Sequence, residues 1–365
     1  MSDLGLQRGT VELRSAGPIT FGPDGVLFVA DNAAATIHAI DVRDAGEASG
    51  AEPFDLEHVD ERVASYLGAA VSDVAINDLA VHPATHQVYL SVQRGHGDDA
   101  RAVLLRIDGV DGSVSEVDLS DVLTASVSLD DAPDEADERS DVTLPTDGSG
   151  EELSFGERTI RILKRPIRMA TVTDLACTAD ALLVAGLSNE EFASKLRRIP
   201  LPFGRDVEAN NLEIFHVSHG QWETAAPIRT FVPYEGGRSV LASYTCTPVV
   251  HFALDGVAPG TKVVGRTVAE LGAMNQPLDM VSCTIGGEAH VLVANSSHGL
   301  IKIAARDIDD QPALTEPKEP IGVPREVEDL QGIVKLENLD DTHVLALQVD
   351  DAGGKHLRSL KTASL

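Results

Sequence analysis

The stretch Ile19-Thr-Phe-Gly-Pro-Asp-Gly-Val-Leu-Phe-Val-Ala-Asp31, continuing through Thr36-Ile-His-Ala-Ile-Asp41, decides the fold. It reads as a short apolar run, a Gly/Pro/Asp turn, a second apolar run, a loop and a third run. Runs of this length, often β-branched and bounded by turn residues, make strands rather than helices. The pattern returns where Leu79-Ala-Val-His-Pro83 leads to Gln87-Val-Tyr-Leu-Ser-Val92 and Val103-Leu-Leu-Arg-Ile-Asp108, and further copies begin near Leu175, Ile228, Met280 and Gly332. Unit starts taken at Pro18, Asp78, Asp174, Pro227, Asp279 and Asp329 lie 60, 96, 53, 52 and 50 residues apart. A period near 50 is that of a four-stranded propeller blade, so six units predict an all-β, six-bladed β-propeller spanning residues 1–365 as one domain. The amphipathic helices that a parallel α/β sheet needs between its strands are nearly missing.

The last unit offers three strands before the chain ends, and Thr10-Val-Glu-Leu-Arg14 is a lone strand-like run ahead of the first. Pairing the two would remove an exposed sheet edge, so the N-terminal strand is expected to close the ring by joining the last blade. The 96-residue spacing places an acidic, flexible insertion at 128–152, between the second and third blades, around Asp130-Asp-Ala-Pro-Asp-Glu-Ala-Asp-Glu138. The basic run Arg158–Arg168 that follows reads as a blade edge beside it. Two helices are expected in loops, over Asp60–Ala70 and from the capping-box pattern Thr267-Val-Ala-Glu270, roofing one mouth of the ring.

Composition narrows the function classes. Of 365 residues, 43% are hydrophobic and 24% charged, enough for a packed core. Lys+Arg of 29 against Asp+Glu of 58 leaves a net charge of −29, which repels nucleic acid and anionic membranes at long range. Eight of the 29 basic residues are lysine, a pattern shared by salt adaptation and by high-GC composition. Cys177, Cys246 and Cys283 stand far apart, with no CxxC pair and an odd count, which excludes a disulfide framework. No apolar run reaches the ~18 residues of a membrane span, and the N-terminus has no signal-peptide core, so the chain as written reads as cytoplasmic, or periplasmic or secreted if a signal peptide once preceded it. The GxSxG, GxxxxGK[ST], GxGxxG and HExxH signatures are all missing from the sequence.

An aspartate recurs at the entry to innermost strands, as Asn77-Asp78-Leu, Thr173-Asp174-Leu, Leu278-Asp279-Met and Glu328-Asp329-Leu. Innermost strands ring the axis, so these carboxylates converge. Like charges together need neutralising, and Ca²⁺ or another divalent cation held by Asn77, Asp78, Asp174, Asp279 and Asp329 is one solution. The other is that each aspartate bonds backbone N–H groups of its turn. Loops after the second strands share that face and bring Asn32, Arg94, Asn189, Tyr244, Asn295 and His298 to a ligand. Cys246, in such a loop with Tyr244 and His298 as expected neighbours, is a candidate nucleophile or soft-metal ligand, or a packing residue. His216 and His219, three apart in an expected strand, should point to opposite sides.

The segment Gly17–Asp31 resembles NHL- and YVTN-type propeller repeats, and Ala185-Gly-Leu-Ser-Asn-Glu-Glu-Phe192, Tyr244-Thr-Cys-Thr-Pro248 and Ala294-Asn-Ser-Ser-His-Gly299 resemble a bacterial propeller family whose likeness spans most of the chain and implies no activity. The six-bladed gluconolactonase/regucalcin family is a more distant analogy. It implies an axial divalent cation near Asn77, Asp174 and Asp279, although Pro18 stands where that family has a Glu. Three functions follow as expectations. The first is an axial polar or metal site that binds a small polar ligand, with metal-dependent hydrolysis of a lactone or ester as its possible chemistry and Asp174, Asp279 or Cys246 as the catalytic candidates. The second is a non-catalytic module gripping a peptide or protein on the face of Asp78 and Asn295, and the third a redox or copper protein using Cys246 and His298.

Overall fold

A computed structural model describes residues 4–46, 54–137, 142–145, 151–155, 158–204, 206–272, 275–318 and 320–365. Among them, six sheets, antiparallel except where Lys262–Val264 pairs in parallel with Glu208–His216, stand around one axis as the blades of a six-bladed β-propeller. The innermost strands are Ile19–Phe21, Val74–Val81, Asp174–Cys177, Ile228–Tyr234, Pro277–Ile285 and Ile333–Asp340, and blades 1 to 6 are numbered in that order. Second strands such as Val26–Asp31 and Ala181–Leu187 are buried at every residue, because a blade is covered on both faces by its neighbours. No described helix is long and apolar enough to cross a membrane.

The blades do not follow one another around the ring in chain order. Apolar seams join blade 1 to blade 2 through Ile19, Leu27 and Tyr89, and blade 1 to blade 3 through Phe28, Val184 and Ile199. Blade 2 meets blade 6 through Leu90, Leu345 and Leu357, and the remaining seams run 3–4, 4–5 and 5–6. The ring therefore reads 1-3-4-5-6-2. After three strands of blade 1 the chain turns back, builds blade 2 in the gap beside blade 6, and returns to lay Val122–Ser128 against Thr36–Asp41 as the fourth strand of blade 1.

This order corrects the expected closure. Gln7–Gly9 pairs with Val122–Ser128 at the outer edge of blade 1, and Val11 N–H donates to Leu119 O, so the N-terminal strand does not join the last blade. The outer edge of blade 6 is covered instead by Phe54–His58 on the way to blade 2. Leu56 and Leu357 exchange backbone bonds of 3.0 and 2.9 Å, and Ser359 N–H and Oγ reach Asp55 Oδ1 and Phe54 O at 2.7 and 2.6 Å. The helix Val59–Leu67 follows and buries Val59, Val63 and Ala64 in the seam between blades 2 and 6, so it seals a joint rather than roofing the mouth. The second expected helix is a strand, Arg266–Glu270. Its last four residues are all buried in blade 4, where packing on both faces overrides the capping pattern.

Within the expected insertion, residues 138–141 and 146–150 lie outside the described residues. The described part of the acidic run is anchored. Leu129 and Ala132 are buried between blades 1 and 3, and the fully buried Arg197 binds Asp131 at 2.9 Å. The basic run is not a blade edge: Arg158–Arg165 is the middle strand of a separate three-stranded sheet with Val142–Pro145 and Glu151–Phe155.

Leu56 belongs to no repeat, yet it is 5% exposed and seals the edge of blade 6. Leu56→Ala is expected to cost about 2–5 kcal/mol in denaturant unfolding, as for a core leucine. A loss below about 1 kcal/mol, the range of ordinary surface changes, contradicts this closure.

Candidate functional site: the axial funnel and a histidine–cysteine corner

Asp78, Asp174 and Asp279 do converge on the axis, and each stitches its blade to the next. Ile19 N–H of blade 1 donates to Asp78 Oδ2 at 2.9 Å, Phe231 N–H of blade 4 to Asp174 Oδ2 at 2.8 Å, and Leu336 N–H of blade 6 to Asp279 Oδ2 at 3.0 Å. Blades 2, 3 and 5 alternate around the ring, so each aspartate serves a different pair. The turn-bonding role is present as well, from Leu175 N–H to Asp174 Oδ1 and Met280 N–H to Asp279 Oδ1, with Thr230 Oγ1 also donating to Asp279.

The charge they bring together is met by a side chain. Lys335 Nζ lies 2.8 Å from Asp78 Oδ1 and 4.0 Å from Asp279 Oδ2, and Arg229 sits in the field of all three carboxylates. Every carboxylate oxygen of the three aspartates thus already accepts an N–H, an O–H or the Lys335 ammonium. A hard cation at Asp78 would compete with Lys335, which already brings to Asp78 and Asp279 part of the positive charge such an ion would supply. Two expected ligands lie elsewhere: Asn77 Nδ2 donates to Ala16 O at 2.8 Å, and Asp329 is exposed ahead of blade 6, whose innermost strand begins only at Ile333.

Neutralisation is incomplete. Burial, then the charges of Asp279 and Asp78, push Asp174 up to about 7. Burial pushes Glu337 up to about 8, with the three aspartates adding to the shift, and raises Asp279 as well. Burial opposes the charge on Lys335, but Asp78 and Asp279 outweigh it and hold the ammonium protonated.

These groups lie in a cavity of about 290 Å³ lined by the innermost strands of all six blades. It shares Thr20, Phe21, Ser282, Glu337 and Asn338 with a wider cavity of about 900 Å³, giving a funnel that opens among the first hairpins at Gly22, Pro83, His86 and Asp341. That mouth is on the opposite side of the disc from the face expected to bind. Two of the ligand-binding residues expected on that face are taken up in bonds within the chain. Asn32 forms a two-point clasp with Val172 across blades 1 and 3, at 3.0 and 2.7 Å, and Asn295 is buried against Asn275. Tyr244 is buried, while Arg94, Asn189 and His298 are exposed.

A second constellation forms at the outer joint of blades 3 and 4. The strand Glu208–His216 ends at His216, and the turn Val217–Gly220, closed by Gly220 N–H to His216 O with Gly220 at φ +65°, folds His219 back. The rings stack with centroids 3.8 Å apart, and both Nδ1 atoms meet Glu223 Oε1, at 3.0 and 2.8 Å. His216 and His219 therefore share a side, contrary to the strand-based expectation. Cys246, in the hairpin between Ser239–Tyr244 and Pro248–Ala253, brings its Sγ within 4.8 Å of a ring nitrogen of each. His298 is not part of this cluster. Burial disfavours charge on His216, but hydrogen bonds to Cys246 and Glu223 outweigh it and raise the imidazole to about 10. Despite burial, the bonds from His216, His219 and Gln221 hold Glu223 at about 2.

No family model matches the chain and no curated protein matches it. Solved structures that it resembles include the Cps50 (Swd1) β-propeller domain of Myceliophteria thermophila, at 12% identity over 95% of this chain and 83% of that one, with a TM-score of 0.40. Streptogramin B lyase is similar at 11% identity over 98% and 97% of the two chains, also with a TM-score of 0.40.

Folded-state values above the ordinary ones mean that ionising Asp174 and Glu337 is penalised by folding. Their contribution is full below about pH 4 and is lost as the pH rises through about 7 and 8. The melting temperature is expected to fall over that window, and Glu337→Gln to flatten its upper half. A Glu337→Gln profile parallel to the parent's across the whole range contradicts the assignment.

Proposed function

We propose that the protein binds a small, positively charged organic molecule in the axial funnel, entering through the mouth among the first hairpins. The observation that carries this reading is the charge on the wall. Four carboxyl side chains, Asp78, Asp174, Asp279 and Glu337, line the narrow part, and Asp340 and Asp341 line the mouth. No lysine or arginine is among the described lining residues of either cavity. Lys335 and Arg229, outside that lining, offset part of the charge. A net charge of −29 adds a long-range field that concentrates cations at the surface. An ammonium group entering from solvent favours the ionised forms of Asp174 and Glu337, which titrate at about 7 and 8, while Phe21, Val232 and Met280 offer apolar surface for its carbon frame.

Hydrolysis of a small lactone or ester in the same funnel is the second reading. A carboxyl such as Asp174, titrating at about 7, suits a general base at physiological pH. Lys335, in place of a divalent ion, then supplies the fixed positive charge near the reacting carbonyl.

The test uses three probes on one six-carbon ring, cyclohexylamine, cyclohexanol and cyclohexanecarboxylate, followed by thermal shift and calorimetry. The amine is expected to raise the melting temperature by mass action, the carboxylate to leave it unchanged, and both Asp174→Asn and Glu337→Gln to reduce the amine effect. Stabilisation by the carboxylate, or an equal response of both variants and parent, contradicts the reading. Ca²⁺ serves as the competing occupant: a rise in melting temperature that Asp174→Asn abolishes would assign the axis to a divalent ion instead.

A further inference from the structure

We infer that His216, His219 and Cys246 form a binding site for a single thiophilic transition-metal ion, Zn²⁺ or Cu⁺, separate from the axial funnel. Two imidazoles and a thiol offer one ligand atom each, all within 4.8 Å of one another, so that a closing movement of about 1 Å by these side chains brings them within bonding reach of one small ion, at about 2.0–2.3 Å each. The hydrogen bonds leave one nitrogen of each ring to a ligand. Both Nδ1 atoms are committed to Glu223 Oε1, so the Nε2 atoms remain for the ion, and a carboxylate behind each histidine is the arrangement that orients histidine ligands in metal centres. Glu223 serves both rings at once, so one side chain sets the angle of two ligands.

The donor set points to the class of ion. A thiolate with two imidazoles favours zinc or copper over calcium or magnesium, which take oxygen. Binding releases to solvent the Cys246 thiol proton and the Nε2 proton of His216, forms one S–metal and two N–metal bonds, and displaces the Ser218 hydroxyl that now lies 2.8 Å from His216 Nε2. The site is held from two blades by hairpins, and it is not sealed: His216 is 2% exposed, whereas His219 is 50% exposed and leaves a route from solvent to a fourth coordination position. The rival chemistry for the same residues is a Cys246 nucleophile activated by His216, and the experiment separates the two.

Metal-free full-length chain is titrated with Zn²⁺ by calorimetry, and separately with Co²⁺ by absorption. One equivalent of Zn²⁺ and a thiolate-to-cobalt charge-transfer band are expected. His219→Ala, a substitution at a half-exposed position that leaves the fold intact, and Cys246→Ser are each expected to weaken binding at least tenfold, and Glu223→Gln by about 10–100-fold through loss of orientation. Asp174→Asn should bind as the parent does, which keeps this result independent of the axial reading. Failure of the parent to bind Zn²⁺, binding that survives in both ligand variants, or a Co²⁺ complex without the thiolate band overturns the inference. Rapid alkylation of Cys246 that excess Zn²⁺ does not slow would assign the cluster to nucleophile chemistry.

Discussion

The contact between the Lys335 ammonium and the carboxylates of Asp78 and Asp279 is the interaction on which the rest of the structure depends. Three aspartates are drawn to the axis because each satisfies the backbone of a neighbouring blade. Convergence of three negative charges in a narrow channel would by itself force the blades apart or leave the carboxyls protonated. Lys335, 2.8 Å from Asp78 and 4.0 Å from Asp279, offsets part of that charge, while burial and the neighbouring carboxylates still raise Asp174 and Glu337 to about 7 and 8. The same residues thereby clamp the ring and leave a titratable wall for a ligand. Stability and binding are coupled through one charge cluster, so a ligand cation that relieves it also tightens the ring.

Blade order follows from a second constraint, the need to cover every sheet edge. The chain fills the gap between blades 6 and 1 with its second blade, then uses the crossing segment around Leu56 and the helix Val59–Leu67 to close the edge of blade 6. Closure therefore comes from the interior of the sequence. The N-terminal strand is left to thicken blade 1, beside Val122–Ser128, where it blocks another edge.

Strands were legible because their residues are local signals: β-branched runs such as Val26–Ala30 and Val88–Val92, cut by Gly, Pro and Asp. Six units and an all-β ring follow from counting them. Ring order was not legible, because a repeat looks alike wherever it is inserted, and the seam partners of Leu90 and Phe28 are set by packing across blades. The aspartates Asp78, Asp174 and Asp279 were legible as a repeated position, while Asp329 carried the same letters without the same place, since its strand starts four residues later. Lys335 and Glu337 went unread although they alternate along an innermost strand and so share one face, a signal that period-two spacing offers. The corner of His216, His219 and Cys246 depended on where a strand ends. Ser218 and Gly220 are turn residues, and reading them as a turn would have put both imidazoles on one side.

The central claim is that Lys335 and Asp78 stabilise each other at the axis, and a double-mutant cycle measures this directly. Asp78→Asn keeps the bond from Ile19 N–H while removing the charge, and Lys335→Met keeps the length of the side chain while removing the ammonium. Denaturant unfolding of both single variants and the double variant is predicted to show a coupling of at least about 2 kcal/mol, with the double variant losing less than the two single losses combined, because the buried charges vanish together. Additivity within about 0.5 kcal/mol would show that the two charges do not feel each other and would contradict the account.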